Sequence, residues 1–185
     1  MNSTKRKYKN LFVRGLLFSV KNPIYQQLRE ICKISDYSDS ELKDYQDEKL
    51  KKLLIYSYKN VPYYTKVLGR CDVVDNHLNV KLENFDKIPI LTKDIIRDEF
   101  DNLKSKELDT MKWAYNTSGG STGEPVKFIQ DRDYSNWNIA NKLFYKIMGN
   151  QIIGDKEIRL WGSERDLLIG RDSMPTRIQN FFFNI

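Results

Sequence analysis

Trp113-Ala114-Tyr115-Asn116-Thr117-Ser118-Gly119-Gly120-Ser121-Thr122-Gly123-Glu124-Pro125-Val126-Lys127-Phe128-Ile129 is the stretch that decides how this chain folds. Trp113–Thr117 is rich in aromatic and β-branched residues, and 126–129 alternates apolar with polar side chains. Both patterns predict short strands. The segment between them is crowded with glycines and hydroxyl residues. Two strands flanking such a segment predict a hairpin wrapped around its own loop.

The loop has a chemical use. Glycines reach backbone angles closed to other residues. Successive N–H groups can therefore converge into one concavity, a nest for an anion. Ser118, Ser121 and Thr122 add hydroxyl donors that rotate toward phosphate oxygens. Pro125 stiffens the return into the second strand. A glycine-rich hairpin turn without any ligand is the plainer alternative. The loop is not a Walker A motif, which needs Gly-Lys-[Ser/Thr] where this chain has Gly123-Glu124. The spacing of a dinucleotide fingerprint is also missing.

Working outward, residues 131–148 predict a helix with Trp137, Ala140, Leu143, Phe144 and Ile147 on one side, ended by Gly149 and Gly154. A strand over 157–161 and a helix over 175–183 follow. Upstream, Ile88-Pro89-Ile90-Leu91 is extended. Thr92 then caps a helix expected to reach Leu103, with Asp94 in its first turn. Val74–Asn79, carrying His77, reads as a surface loop. Ser38 and Glu41 form a capping box for a helix to about Lys59, with Leu50, Leu53, Leu54, Tyr56, Ser57 and Tyr58 giving it a partly apolar face. Val61-Pro62-Tyr63-Tyr64 restarts a short helix to about Leu68. Residues 7–32 carry helical apolar spacing with a break at Asn22-Pro23. The fold class is α/β: a helical N-terminal region followed by strands that belong to a larger mixed sheet.

Charge divides the chain into an arm, 1–33, and a body, 34–185. The chain carries a net charge of +6. Residues 1–33 hold eight basic side chains against Glu30, a net +7, while the rest holds 23 basic and 24 acidic residues. A nucleic-acid protein more often spreads positive charge over a domain face, so no nucleic-acid partner is expected. A basic amphipathic arm suits either packing on its own body or peripheral contact with an anionic membrane surface. Cys32, Cys71 and the single His77 give no metal-ligand spacing and no Ser-His-Asp or Cys-His set. No apolar run approaches the ~20 residues of a membrane-spanning helix. Arg14 interrupts the one stretch that imitates a signal peptide. The expected location is cytoplasmic, with membrane-peripheral contact through the arm as the variant.

The loop resembles the phosphate loop of the adenylate-forming enzymes, roughly [ST]-S-G-[ST]-T-G-x-P. Leu53–Tyr64 (LLIYSYKNVPYY), Ile88–Arg97 (IPILTKDIIR) and the stretch 149–161 are similar to segments of the phenylacetate–CoA ligase and CapK-like capsule-biosynthesis branch. The resemblance spans about residues 50–165. It implies that 34–185 is part of the N-terminal domain of such an enzyme. It also implies activation of a small carboxylic acid with ATP and Mg²⁺, and acyl transfer to coenzyme A or another acceptor, in surface-polysaccharide assembly among other settings. Ser118, Gly120, Ser121, Thr122 and Gly123 then contact the β- and γ-phosphates, with Gly119 in the same nest. Such donors neutralise the departing pyrophosphate, each supplying about 3–4 kcal/mol of transition-state stabilisation.

Two departures stand out. Gly119 replaces a hydroxyl residue, and Glu124 replaces a position that is often lysine. Lys127 is the nearest substitute cation, a phosphate contact or else a solvated strand charge. The family's aromatic-Gly-x-Thr-Glu motif, ribose-binding Asp and adenylation lysine have no counterpart in these 185 residues. With the aromatic run Phe181-Phe182-Phe183, this suggests the N-terminal portion of a ligase, inactive by itself, arising through truncation or a split gene: either a fragment complemented by a separately encoded C-terminal half or a relic. No catalytic residue is assigned. A non-catalytic module that docks on a membrane surface or protein partner through its basic arm is the alternative.

Overall fold

The computed structural model describes residues 22–118 and 125–151. It mixes helices with one two-stranded antiparallel sheet. The chain divides into two compact units, Ile34–Ser135 and, as the other, Met1–Lys33 with Asn136–Ile185.

Helix α1 spans Pro23–Ile34. The break expected at Asn22-Pro23 is a helix start. Pro23 needs no N–H partner at the first position, and Asn22 Oδ1 accepts the Ile24 N–H at 3.0 Å. The remainder of the predicted helix, 7–21, lies outside the described residues.

Helix α2, Asp39–Asn60, begins with the predicted capping box. The Ser38 N–H donates to Glu41 Oε2 at 2.9 Å, and Ser38 Oγ accepts the Glu41 N–H at 3.4 Å. The apolar stripe is narrower than the six residues expected on that face. Leu50, Leu54 and Tyr58, spaced four apart, join the core, while Leu53 is 60% exposed. Val61 is extended and closes α2, its N–H bonding Ser57 O at 2.9 Å. Pro62 opens helix α3, Pro62–Arg70, two residues past the expected end. Thr65 Oγ1 donates to Tyr58 O at 2.6 Å and pins the two helices together.

Leu68, Val73 and Val74 are the fully buried centre of this unit, joined by Leu54. Val74 bridges Val80 across the predicted surface loop, in which His77 is exposed. Asp75 closes that loop. Its Oδ1 accepts the N–H groups of His77 at 2.8 Å and Asn79 at 2.9 Å, and Oδ2 accepts Asn79 Nδ2 at 2.8 Å. This is an Asx-type turn made by the side chain.

After a 3₁₀ turn, Leu82–Lys87, helix α4 runs Lys93–Asp98, with Thr92 Oγ1 accepting the Ile95 N–H at 3.3 Å. The helix expected to reach Leu103 therefore ends five residues early. Two long-range bonds explain the difference. The Asn102 carbonyl accepts the Tyr63 N–H at 3.0 Å, and Lys106 N–H reaches Asn60 O at 2.8 Å. Both satisfy backbone groups left open at the α2–α3 junction. Segment 99–106 is committed to that junction and folds as turns.

A second 3₁₀ turn, Leu108–Thr110, leads to strands β1, Trp113–Thr117, and β2, Lys127–Asp131. They pair antiparallel with Tyr115 opposite Ile129. Helix α5, Arg132–Met148, follows at once, because Asp131 Oδ1 accepts the Tyr134 N–H at 2.7 Å and caps it. Its buried side chains are Ala140 and Leu143, whereas Ile147, expected on the same side, is 49% exposed. At its end the left-handed residue is Asn150, φ 55°, and not Gly149. Asn150 N–H bonds Ile147 O and Gln151 N–H bonds Lys146 O, a Schellman closure. Gly154, the strand over 157–161 and the helix over 175–183 lie outside the described residues. Among the described residues no helix is long and apolar enough to cross a membrane.

Candidate phosphate-binding hairpin

The hairpin ladder does not stop at Thr117 and Lys127. Ser118 N–H donates to Val126 O at 2.9 Å, and the Val126 N–H donates to Ser118 Oγ at 2.9 Å. The second bond is unusual, since a side-chain hydroxyl takes the place of the expected carbonyl. Val126 is 5% exposed, so this N–H must find a partner inside the protein. Ser118 Oγ thus clamps the neck of the loop, and its own proton remains to donate onward. The other predicted contacts, Gly119, Gly120, Ser121, Thr122 and Gly123, lie outside the described residues.

Side chains alternate across the hairpin. One face carries Ala114, Asn116, Phe128 and Gln130, with Asn116 Nδ2 donating to Gln130 Oε1 at 3.1 Å. The other carries Trp113, Tyr115, Thr117, Lys127, Ile129 and Asp131. Lys127 therefore lies on the face opposite Ser118. Its ammonium sits 3.6 Å from the centroid of the Tyr115 ring. Tyr115 is held in turn by Trp113, edge-on at 4.9 Å, and by Phe100 at 6.3 Å. Lys104 Nζ covers the Phe100 ring at 4.9 Å. This aromatic row stiffens β1 just before the loop and gives Lys127 a resting place on a π face.

The sequence reading overlooked a cleft along the C-terminal half of β2. It has a volume of about 680 Å³. Its polar wall includes Tyr56, whose hydroxyl lies 2.8 Å from Ser105 Oγ, together with Gln130 and Asp131. Burial raises the Tyr56 phenol above its usual ionisation range. The Ser105 hydrogen bond opposes that shift, while Glu107 and Asp131 reinforce it. No motif marks these residues, because Tyr56 and Ser105 stand 49 positions apart and meet only in the folded chain.

Among the described residues, Ser118 is the hydroxyl that stands at the mouth of the glycine-rich segment. Among the described residues no three His, Cys, Asp or Glu side chains gather to hold a metal ion. Comparison with known protein families, curated proteins and solved structures finds no match to this chain.

Proposed function

We propose that the chain is the phosphate-gripping portion of an ATP-dependent, carboxylate-activating ligase of the adenylate-forming type. The observation that supports this most is the double clamp between Ser118 and Val126, which mounts the glycine-rich loop on a closed hairpin neck. A loop fixed at both ends loses less entropy when its amides close on an anion. In this reading Ser118, Gly119, Gly120, Ser121, Thr122 and Gly123 hold the β- and γ-phosphates. ATP, with its Mg²⁺, supplies the leaving pyrophosphate when a small carboxylic acid is activated, and coenzyme A or another acceptor takes the acyl group. Attachment of acyl groups during capsule or surface-polysaccharide assembly is one setting for such chemistry.

Binding of ATP to the full 185-residue chain tests the proposal. Inorganic tripolyphosphate should displace ATP and adenosine should not. Ser121→Ala and Thr122→Ala should each weaken binding about tenfold or more, the size of one lost hydrogen bond to a charged group. Displacement by adenosine, or indifference to both substitutions, would contradict it.

The other reading, docking through the arm, is favoured by one feature. The whole excess of positive charge lies in residues 1–33. It makes the arm a candidate for anionic surfaces.

A further inference from the structure

We propose that the cleft beside β2 is a second binding site, for a small apolar amine: a flat ring system bearing one protonated amino group. Its volume, about 680 Å³, lies within the ~300–1,000 Å³ typical of small-molecule sites. Val61, Leu103, Leu108, Met111, Phe128 and Ile129 line it, an apolar wall suited to a ring.

The polar groups fix the sign of the ligand's charge. Asp131 lines the cleft, and among the described residues only its Oδ1 is engaged, in capping α5, with Oδ2 left for a ligand. Behind the lining, Glu107 lies close enough to Tyr56 to reinforce, with Asp131, the rise that burial first gives its phenol. The N-terminus of α5 offsets this by about half a unit of positive charge, too little to cancel two carboxylates. Lys104 also lines the cleft, but its ammonium is paired with Asp101 Oδ1 at 2.6 Å and lies over the Phe100 ring. A carboxylate entering this wall meets like charge, and an ammonium meets opposite charge. The site is thus distinct from the loop in ligand class, and it stands whether or not the loop binds ATP.

Tryptamine and indole-3-acetate share a ring and differ in the sign of their charge, so they make the decisive pair of probes. Each is titrated into the full chain carrying ¹³C-labelled Met and Ile methyls. Tryptamine should shift the Met111 and Ile129 methyls saturably and bind about tenfold or more tighter than indole-3-acetate. Asp131→Asn keeps the capping oxygen and removes the charge, so it should erase most of that preference while the helix remains. Glu107→Gln, on a separate element, should reduce it in the same direction. Leu108→Ala should weaken both probes equally. Equal affinity for the two probes, a preference unchanged in both charge variants, or no saturable shift at those methyls would overturn the proposal.

Discussion

Single atoms decide more of this structure than their residue types suggest. Ser118 is the clearest case. As a loop hydroxyl it is one of several; as the acceptor for a buried Val126 N–H it is the latch of the hairpin. Ser118→Ala should leave that amide unsatisfied, at about 1–3 kcal/mol. Hydrogen exchange at Val126 should accelerate while amides of α2 stay protected; unchanged exchange at Val126 would deny the latch. Lys127 tells a similar story on the opposite face. Tyr115→Leu removes its π surface and should cost about 0.5–1 kcal/mol in thermal or denaturant unfolding. Asp75 carries a pH signature. Hydrogen bonds from the Asn79 side chain, then from the Asn79 and His77 backbones, hold its pKa below the ordinary 3.8. A depressed carboxyl pKa means that its stabilising effect is present above the unfolded value. The effect is lost as pH falls through the lower, folded one. Asn79→Ala should bring the Asp75 titration, followed by carboxyl NMR, back toward 3.8; no movement would show that the turn does not depend on that side chain.

Elements were legible wherever a local signal was complete. The capping box at Ser38 and Glu41, the Val61-Pro62 restart and the Thr92 cap are each settled by hydrogen bonds within a few residues, and each lies where the sequence predicts. The hairpin was legible for the same reason, since alternation and a glycine-rich turn are local signals. What failed was whatever a distant partner decides. α4 stops at Asp98 because the Asn102 carbonyl and Lys106 N–H are drawn to the α2–α3 junction. Leu53 and Ile147 look like core in a list of apolar spacings, yet packing selected only Leu50, Leu54 and Tyr58 on α2, and Ala140 and Leu143 on α5. The left-handed end of α5 went to Asn150 and not to the neighbouring glycine, because the closure geometry chose the position before the residue type. Of the candidate site, glycine spacing revealed the loop. It could not reveal that Ser118 latches its neck, nor that Lys127 turns away onto Tyr115. At this scale, Leu68→Ala at the fully buried centre should destabilise the α2–α3 unit by about 2–5 kcal/mol. A loss under 1 kcal/mol by denaturant unfolding would mean that the core collapses around the change.

Across the whole molecule, charge and apolar surface are both unevenly placed. Ile90, Met148 and Leu53 are among the most exposed large apolar side chains, and the hairpin has two strands among the described residues. Open strand edges and exposed apolar groups favour self-association. Low solubility of the chain alone is the expected result, and Ile90→Lys should improve it. The arm reading predicts salt-sensitive binding to anionic vesicles that disappears when residues 1–33 are removed; an arm packed on its own body predicts none. The central claim, however, concerns the amides of residues 118–123. The most direct measurement is an amide-resolved NMR titration of the full ¹⁵N-labelled chain with inorganic tripolyphosphate. Gly119, Gly120, Ser121, Thr122 and Gly123 should shift together with one dissociation constant, and Ser118 with them. Shifts confined to the basic arm, or none in the loop at saturating anion, would contradict the account.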